Sequence, residues 1–329
     1  MGMQQYPSGA SIRPVDPVLT PIAAALMNRP GNFIGRDALP PVPFGVAQKT
    51  GTIIRASVGA MFGDGSTSLS RAPGADFPTG IGPALDNITY VADQSAYAVD
   101  VPDEQVRDSM IDLWRFKLAE AAQRIAIKRE LNALNLFGTT GNWSASFNVS
   151  TAWTASGSDP MDDLKTAQSS IGLYGSEPNT LILGYSAFDA LRSNDAFLSF
   201  MPNNMDRNLA TITYLQSAIE DALGIPRARV FVARASRNTA NQGATATLAR
   251  IATNWAWMGY IELGEGTSVA IDGQTVQTTA TAALRLPVQD VEVEQYRDAS
   301  KRREVANVTV EEALAVVNPQ LGVYIGSVA

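Results

Sequence analysis

Cysteine and histidine are both absent from this chain of 329 residues. Without cysteine the chain cannot form disulfides, cysteine-ligated zinc sites or a thiolate nucleophile. Without histidine it lacks the commonest general base and the commonest metal ligand. The two absences together exclude most hydrolase mechanisms.

Long apolar runs and an excess of positive charge are missing too. No stretch approaches the roughly 18 consecutive apolar residues of a membrane span, and the start MGMQQYPSGA lacks the basic and apolar segments of a signal peptide. We therefore expect a protein that is made and kept in the cytoplasm, with no membrane partner. Five lysines accompany twenty arginines and the net charge is −7, so the summed field repels nucleic acid and tight DNA binding is not expected.

Proline is concentrated at the N-terminus, where the first 44 residues hold eight of the eighteen prolines. Proline at this density blocks both helices and sheet ladders. The pattern predicts an extended arm with one short helical turn near IAAALM. Such an arm cannot fold alone and needs a surface on which to lie.

A glycine-rich segment separates two predicted strands, TGTIIRASV at 50–58 and NITYVADQSAYAV at 87–99. The intervening residues 59–83 hold six glycines, three prolines and only five large apolar side chains, which is too little burial to offset the entropy of ordering. The segment is either disordered or a long hairpin that docks on another subunit. The candidate intersubunit contacts are Arg55, Phe62, Asp64, Arg71 and Phe77.

Residues 103–137 contain neither glycine nor proline, which predicts one long helix. Pro102 and the acidic pair that follows it suit a helix start, and Gly138 suits its end. At 1.5 Å per residue the helix would be about 50 Å long. A buried stripe is predicted from apolar residues at spacings of three and four, namely Val106, Met110, Leu113, Trp114, Leu118, Ala121 and Ile125.

The second half of the chain predicts an α/β unit followed by a sheet. Helical patterns (GSDPMDDLKTAQSSIG, SAFDALRSNDAF, TYLQSAIEDALG) alternate with strand patterns (NTLILG, ARVFVARA), and LARIATNWAWMGYIEL indicates a core strand or pair of strands. After residue 284 the apolar parity changes near Gln289 and Asp290, which predicts a bulge. The body around the long helix is therefore expected to combine both ends of the sequence.

Two patterns imitate catalytic sites. LILGYSAF places Ser186 in a strand–turn–helix context like that of a nucleophile elbow, but the base is missing and Phe188 replaces the final glycine, so we interpret Ser186 as a helix N-cap. Glu292 and Glu294 share one face of a strand about 7 Å apart, a separation compatible with an inverting glycosidase. Glutamates that alternate with valines are also typical of any half-exposed strand.

Two charged clusters have ordinary structural interpretations. Asp159, Asp162 and Asp163 could bind a hard cation, but acidic residues in a first helical turn also complement the helix dipole. The run KRRE at 301–304 is flanked by Asp298, and we interpret it as a solvated or subunit-pairing face. The sequence predicts no catalytic, cofactor-binding or metal site.

The order of these parts resembles the major capsid protein of tailed bacteriophages, the Hong Kong 97 type of shell protein. SRAPGADFPTG is similar to that family's extended loop, VPDEQVRDSMIDLWRFKLAEAAQRIAIKRELNALNLFG to its spine helix, NTLILGYSAFDALRSNDAF to the start of its axial domain, and VVNPQLGVYI to the closing strand of its peripheral domain. The resemblance implies an α+β fold. Its parts would be an arm at 1–45, a loop hairpin at 46–99, a peripheral domain with the spine helix at 100–157 and 285–329, and an α/β axial domain at 158–284.

The resemblance also implies a function. Hexamers and pentamers of the chain would self-assemble into an icosahedral capsid, which encloses double-stranded DNA without sequence-specific binding. The virion capsid would form in the host bacterial cytoplasm, with scaffolding and portal proteins and in some cases decoration proteins as partners. Some relatives form a Lys–Asn isopeptide bond, which is not expected here because Lys49 lies outside the predicted tip. The alternatives are an encapsulin-like cellular shell protein and a carboxylate-dependent glycosidase.

Overall fold

The computed structural model of the chain describes residues 33–41, 49–56, 73, 76, 85–108, 112–200, 212–225, 228–241, 244–262, 268–271, 274–277 and 281–329. The α-helices are α1 (Gly35–Ala38), α2 (Asp103–Asp108), α3 (Leu113–Gly138), α4 (Pro160–Gly172), α5 (Tyr185–Ser193), α6 (Asp195–Leu198) and α7 (Ile212–Leu223). The strands are β1 (Thr50–Ala56), β2 (Leu85–Val91), β3 (Asp93–Pro102), β4 (Ala145–Asn148), β5 (Thr180–Leu183), β6 (Arg229–Val232), β7 (Ser236–Asn238), β8 (Leu248–Arg250), β9 (Trp255–Gly259), β10 (Ser268–Ile271), β11 (Gln274–Gln277), β12 (Ala283–Asp298), β13 (Arg303–Val316) and β14 (Gly322–Gly326).

The predicted single helix over residues 103–137 is two helices, α2 and α3. Asp112 has an extended backbone, and its carboxylate accepts a hydrogen bond from the Arg115 N–H at 3.2 Å. Aspartate stabilises a helix start in this way but is a weak helix former in the interior. The prediction of one continuous helix was therefore wrong at Asp112, and Val106 on α2 is 49% exposed rather than part of a buried stripe.

Helix α3 covers one face of a three-stranded sheet with strand order β12-β13-β3. The predicted stripe is confirmed on α3, where Leu118, Ala121 and Ile125 are buried against valines of the sheet. The pairing of β3 with β13 brings an early part of the chain together with its last part around α3, as predicted. The predicted bulge in β12 is confirmed, because its register with β13 shifts between Pro287 and Glu292.

The base of the predicted hairpin is an antiparallel ladder of β1 and β2. The register runs from Thr50 opposite Val91 to Ala56 opposite Leu85, and β11 pairs with the other edge of β1. The long second strand of the prediction is in fact β2 and β3, which separate at Ala92. Apart from Pro73 and Asp76, residues 59–83 lie outside the described residues, so the docking of the hairpin stays a prediction.

The α/β unit is a five-stranded sheet with strand order β4-β14-β9-β5-β6, and α4, α5 and α7 pack against it. The closing strand β14 lies in this sheet, where it pairs with β4 and β9. Gly322 makes this position feasible, because a Cβ there would lie 2.5 Å from the Trp143 ring. The boundaries of the peripheral and axial domains stay a prediction.

Three aromatic side chains connect the end of α3 to this sheet. The ring centroids of Phe137 and Trp257 lie 4.6 Å apart, and those of Trp143 and Trp257 lie 5.1 Å apart. Helix α3 ends at Gly138 as predicted, and a Cβ there would lie 3.1 Å from the ring of Trp255. Close packing therefore accounts for this glycine.

Candidate functional site

Ser186 is the second residue of α5 and does not cap it. The N-cap is Gly184, which has an extended backbone, and a Cβ at Gly184 would overlap the carbonyl oxygen of Thr253. The interpretation of Ser186 as an N-cap was therefore wrong by two residues. The tight turn before α5 requires glycine at position 184 because of this close packing.

Glu292 and Glu294 lie on the face of the β12-β13-β3 sheet that points away from α3. Their cross-strand neighbours on β13 are Thr309 and Asn307. A shallow groove of about 440 Å³ is lined by Glu294 together with Tyr97 and small or amide side chains. The two glutamates alternate with the buried Val291 and Val293, which is the ordinary pattern of a strand with one covered face.

The aspartate cluster at 159–163 forms the beginning of α4. Asp159 is its N-cap and accepts hydrogen bonds from the backbone N–H groups of Met161 and Asp162. Asp163 accepts a hydrogen bond from the Trp153 indole at 2.8 Å, and burial raises the pKa of this carboxyl group. Across the part of the chain that the structure describes, no group of three or more acidic residues is placed to hold a metal ion.

Arg55 connects the hairpin base to the end of β13. Its guanidinium donates to Asp86 on β2 at 3.0 Å and also to the backbone carbonyl of Val317. The structure therefore gives Arg55 a carboxylate partner within its own chain. Its role in an intersubunit contact stays a prediction, and the other four candidates, Phe62, Asp64, Arg71 and Phe77, lie outside the described residues.

A buried carboxylate that the sequence analysis missed holds the end of the N-terminal arm. Glu130 on α3 is 3% exposed and accepts hydrogen bonds from the backbone N–H groups of Ile34 at 3.0 Å and Gly35 at 2.7 Å. Burial raises its pKa, and the two hydrogen bonds oppose that shift. One signal was available, since Glu130 lies four residues after Ala126 and three before Ala133 and so falls on the buried stripe.

A second buried group of charges lies beside Glu130. Arg129 pairs with Glu312 on β13 at 2.7 Å, and the Arg285 guanidinium lies 3.8 Å from the same carboxylate. Pro41, at the end of the arm segment, forms an isolated parallel bridge with Arg285. Burial lowers the pKa of Arg285, and the nearby Glu312 carboxylate opposes that shift. These charges fix the arm segment, α3 and the sheet to one another.

The arm segment also contacts the α/β unit. The Arg229 guanidinium on β6 donates a hydrogen bond to the backbone carbonyl of Asp37 in α1. Ile34, Ala38 and Leu39 belong to the same hydrophobic core as the five-stranded sheet. Residues 33–41 are therefore built into the junction between the two sheets.

The turn between β12 and β13 carries the basic run at 301–304. Arg297 forms a bidentate pair with Asp103 on α2 at 3.1 and 2.5 Å, and this pairing lowers the pKa of Asp103. Arg303 pairs with Asp100 on β3 at 2.8 Å. Arg302 has a positive φ of 46° at the tip of the turn and is exposed. Within the run, Arg303 is thus partnered inside the chain.

The helices of the described residues all fall short of the length or the apolarity that crossing a membrane requires.

Comparison with protein families and curated proteins finds phage capsid proteins. A family model described as phage major capsid protein E matches residues 102–219. The chain is 26% identical over 221 residues to a major capsid protein of Burkholderia phage BcepMu, covering 64% of this chain and 68% of that protein. The predicted resemblance to phage major capsid proteins is confirmed.

Solved structures match over nearly the whole chain. A phage-related protein from Bordetella bronchiseptica RB50 has a TM-score of 0.69 at 20% identity, with 96% of this chain and 98% of that chain covered. The capsid structure of the cyanophage P-SCSP1u has a TM-score of 0.57 at 12% identity, with 89% and 88% covered. These likenesses confirm the predicted fold, a mixed α+β architecture of the Hong Kong 97-like shell proteins.

Proposed function

We propose that this chain is the major capsid protein of a tailed bacteriophage, a structural protein that self-assembles into an icosahedral shell around double-stranded DNA. The observation that carries the proposal is the extent of the structural match, 96% of this chain and 98% of the Bordetella phage-related protein. A match of that extent includes the hairpin base and the long helix as well as the α/β unit. The matching family model and the curated relative are both described as phage major capsid proteins.

The hairpin base supports assembly through extended contacts. Arg55 and the ladder of β1 with β2 attach the base to the body of the subunit. Residues 59–83 have too few large apolar side chains to offset their own ordering, and a neighbouring subunit would supply the missing surface. A chain that buries part of its surface only on a neighbour favours large closed assemblies of hexamers and pentamers.

A structural role without catalysis is consistent with the chemistry of the described residues. The chain contains no histidine, so no histidine can act as the base that would activate Ser186. Glu292 lies opposite Thr309 and Glu294 opposite Asn307 on β13. The glycosidase alternative is therefore not favoured, and replacing both glutamates by glutamine should abolish no reaction.

The remaining partners follow from the role of a shell protein. We infer that scaffolding and portal proteins, and in some shells decoration proteins, bind this chain during assembly in the host bacterial cytoplasm. The net charge of −7 suits a shell that encloses DNA without holding it tightly. The final location would be the virion capsid.

Electron microscopy and sedimentation of the purified protein test the proposal. We expect closed shells with hexamers and pentamers, formed either alone or with a co-expressed scaffolding protein. A stable monomer or dimer under every condition would contradict it. Shells that package enzymes instead of DNA would favour the encapsulin-like alternative, which neither the family model nor the curated relative supports.

A further inference from the structure

Positive charge is concentrated in one stretch of the α/β unit. Residues 222–261 contain five arginines and no lysine, aspartate or glutamate, so this stretch carries a net charge of +5. Because the whole chain carries −7, the remaining residues carry −12. The stretch includes the strands β6, β7, β8 and β9. It is therefore a local exception in a chain whose summed charge repels nucleic acid.

Two arginines of this stretch lie against helix α5, close to a third arginine on the helix itself. The Arg250 guanidinium lies 4.3 Å from the centre of the Tyr185 ring. The guanidinium groups of Arg234 and Arg192 lie 5.7 and 5.9 Å from the centre of the Phe188 ring. Tyr185, Phe188 and Arg192 are spaced by three and four residues, so they share one face of α5. We call Arg192, Arg234 and Arg250 the α5 arginine cluster.

The α5 arginine cluster carries more positive charge than its carboxylate neighbours neutralise. Arg192 pairs with Asp189 at 2.8 Å, and both side chains are exposed. Arg234 and Arg250 are also exposed, and neither forms an ion pair with a carboxylate of the described residues. The Arg250 guanidinium donates a hydrogen bond to the backbone carbonyl of Arg234, which links the two residues. Because each guanidinium has several N–H donors, the cluster retains donors for a further ligand.

The surroundings of the cluster suit a phosphate backbone better than a peptide. A guanidinium that stacks on an aromatic ring keeps its in-plane N–H groups for a bidentate contact with phosphate. Neither the groove of about 440 Å³ beside Glu294 nor a cleft of about 620 Å³ beside β2 includes a residue of the cluster. A peptide partner inserts anchor side chains into pockets, whereas contacts to phosphates need only charge and donors.

We propose that the α5 arginine cluster binds the phosphate backbone of double-stranded DNA without reading its sequence. The inference deepens the proposed function, on which it rests, because it assigns the surface through which the chain would contact the DNA that it encloses. Three contacts in one subunit give weak binding, and the repeated copies of a shell strengthen it along one DNA molecule. The negative charge of the rest of the chain opposes contacts elsewhere.

Binding of free subunits to a fluorescent duplex of about 20 base pairs tests the inference, with fluorescence anisotropy measured at several salt concentrations. Three phosphate contacts contribute a salt slope of about −2.7, which weakens binding about 40-fold between about 50 and 200 mM salt. The triple variant Arg192→Gln, Arg234→Gln, Arg250→Gln should lose most of this slope and bind about tenfold more weakly or worse at low salt. Two duplexes of unrelated sequence should bind equally, since phosphates carry no sequence information.

Two controls separate the charge of the cluster from its effect on folding. Arg250→Gln alone should lower the salt slope by about 1, whereas Arg115→Gln, which removes the same charge from an exposed site on α3, should leave the slope unchanged. Replacing the three clustered arginines by lysine should preserve most of the slope, because the slope counts neutralised phosphates. An unchanged slope in the triple glutamine variant, or equal losses in Arg250→Gln and Arg115→Gln, would overturn the assignment. A lysine variant as weak as the glutamine variant would overturn it too.

A polyglutamate peptide with the same charge as the duplex distinguishes phosphates from an acidic protein. We expect the peptide to bind severalfold more weakly than the duplex, because carboxylates are spaced along a flexible chain and phosphates along a rigid one. Equal binding of the peptide would overturn the assignment to DNA.

Electron microscopy of the same proteins separates this inference from the proposed function. The triple glutamine variant should still form shells, because its substitutions lie on an exposed surface. Normal shells together with natural subunits that do not bind the duplex would overturn the cluster as a DNA site and leave the capsid function standing. A natural chain that forms no shells under any condition would instead count against the capsid function, whether or not its subunits bind DNA.

Discussion

The carboxylate of Glu130 accepts a hydrogen bond from the backbone N–H of Gly35 at 2.7 Å, although the two residues are 95 positions apart in the sequence. The other carboxylate oxygen accepts from Ile34 at 3.0 Å. Two backbone donors at the beginning of α1 are thereby satisfied by one side chain of α3. The contact joins residues 34 and 35 of the predicted arm to α3, the longest helix among the described residues.

Replacing Glu130 by alanine should destabilise the subunit by about 3 kcal/mol, because two buried N–H groups lose their acceptor at about 1–3 kcal/mol each. Urea denaturation of isolated subunits measures the change. Glu120→Ala on the same helix is the matched control, since Glu120 is partly exposed and pairs only with Arg124 one turn away. The control should cost no more than about 0.5 kcal/mol. Equal losses in both variants would show that Glu130 has no special anchoring role.

The stability that Glu130 contributes should depend on pH. Burial raises its pKa above the ordinary value of 4.5, so the folded chain binds the proton more tightly than the unfolded chain. The stability of the natural chain relative to Glu130→Gln should therefore be greatest below pH 4.5 and fall as the pH rises through the raised pKa. Comparing the two proteins removes the pH-dependent contribution of the other carboxyl groups, because both proteins contain them. A difference that increases with pH would contradict the assignment.

Gly35→Ala should weaken the docking of α1. A Cβ at Gly35 would lie 2.7 Å from the Ala133 Cβ and 2.8 Å from a Glu130 carboxylate oxygen, so α1 would have to move away from α3. We expect a loss of about 1–3 kcal/mol, measured by thermal or urea denaturation. Gly141→Ala is the control, because nothing lies within 4 Å of a Cβ there. A Gly35→Ala variant as stable as the control would argue against close docking.

The sequence predicted those parts of the fold that depend on local pattern. The stripe at Leu118, Ala121 and Ile125 and the parity change in β12 both follow from which residues can face a core. The break at Asp112 was missed because hydrophobic periodicity continues through it, while the hydrogen bond from the Arg115 N–H that caps the start of α3 depends on one side chain.

Long-range contacts were less accessible to sequence reasoning. Glu130 was visible as a charged residue on a buried stripe, but the two backbone N–H groups that donate to it lie in a segment that the proline content marked as an arm. The pairing of β14 with β4 and β9 was missed because strand partners are set by tertiary packing rather than by the strand's own residues. Arg55 was predicted to pair with a neighbour, and its partner Asp86 in the same hairpin base was overlooked.

Ser186 and Gly184 should respond in opposite ways to alanine. Ser186→Ala should change stability by less than about 0.5 kcal/mol, since the serine neither caps α5 nor serves as a nucleophile. Gly184→Ala should destabilise markedly, because its Cβ would overlap the Thr253 carbonyl oxygen. Thermal denaturation of both variants measures the contrast. A hydrolytic activity that Ser186→Ala abolishes would contradict the structural interpretation.

Deleting residues 59–83 should separate folding from assembly. The deletion leaves the ladder of β1 with β2, the Arg55 contacts to Asp86 and Val317, and the cores around α3 and the five-stranded sheet. We therefore expect a folded subunit with an unchanged denaturation midpoint that no longer forms shells. A deletion of equal length within α3 should instead abolish folding.

Hydrogen exchange then gives the decisive comparison, because a hairpin ordered by its neighbour should be protected in shells and unprotected in free subunits. Strong protection of residues 59–83 in both states would show that the hairpin orders itself, and its role as an intersubunit contact would lose its physical basis.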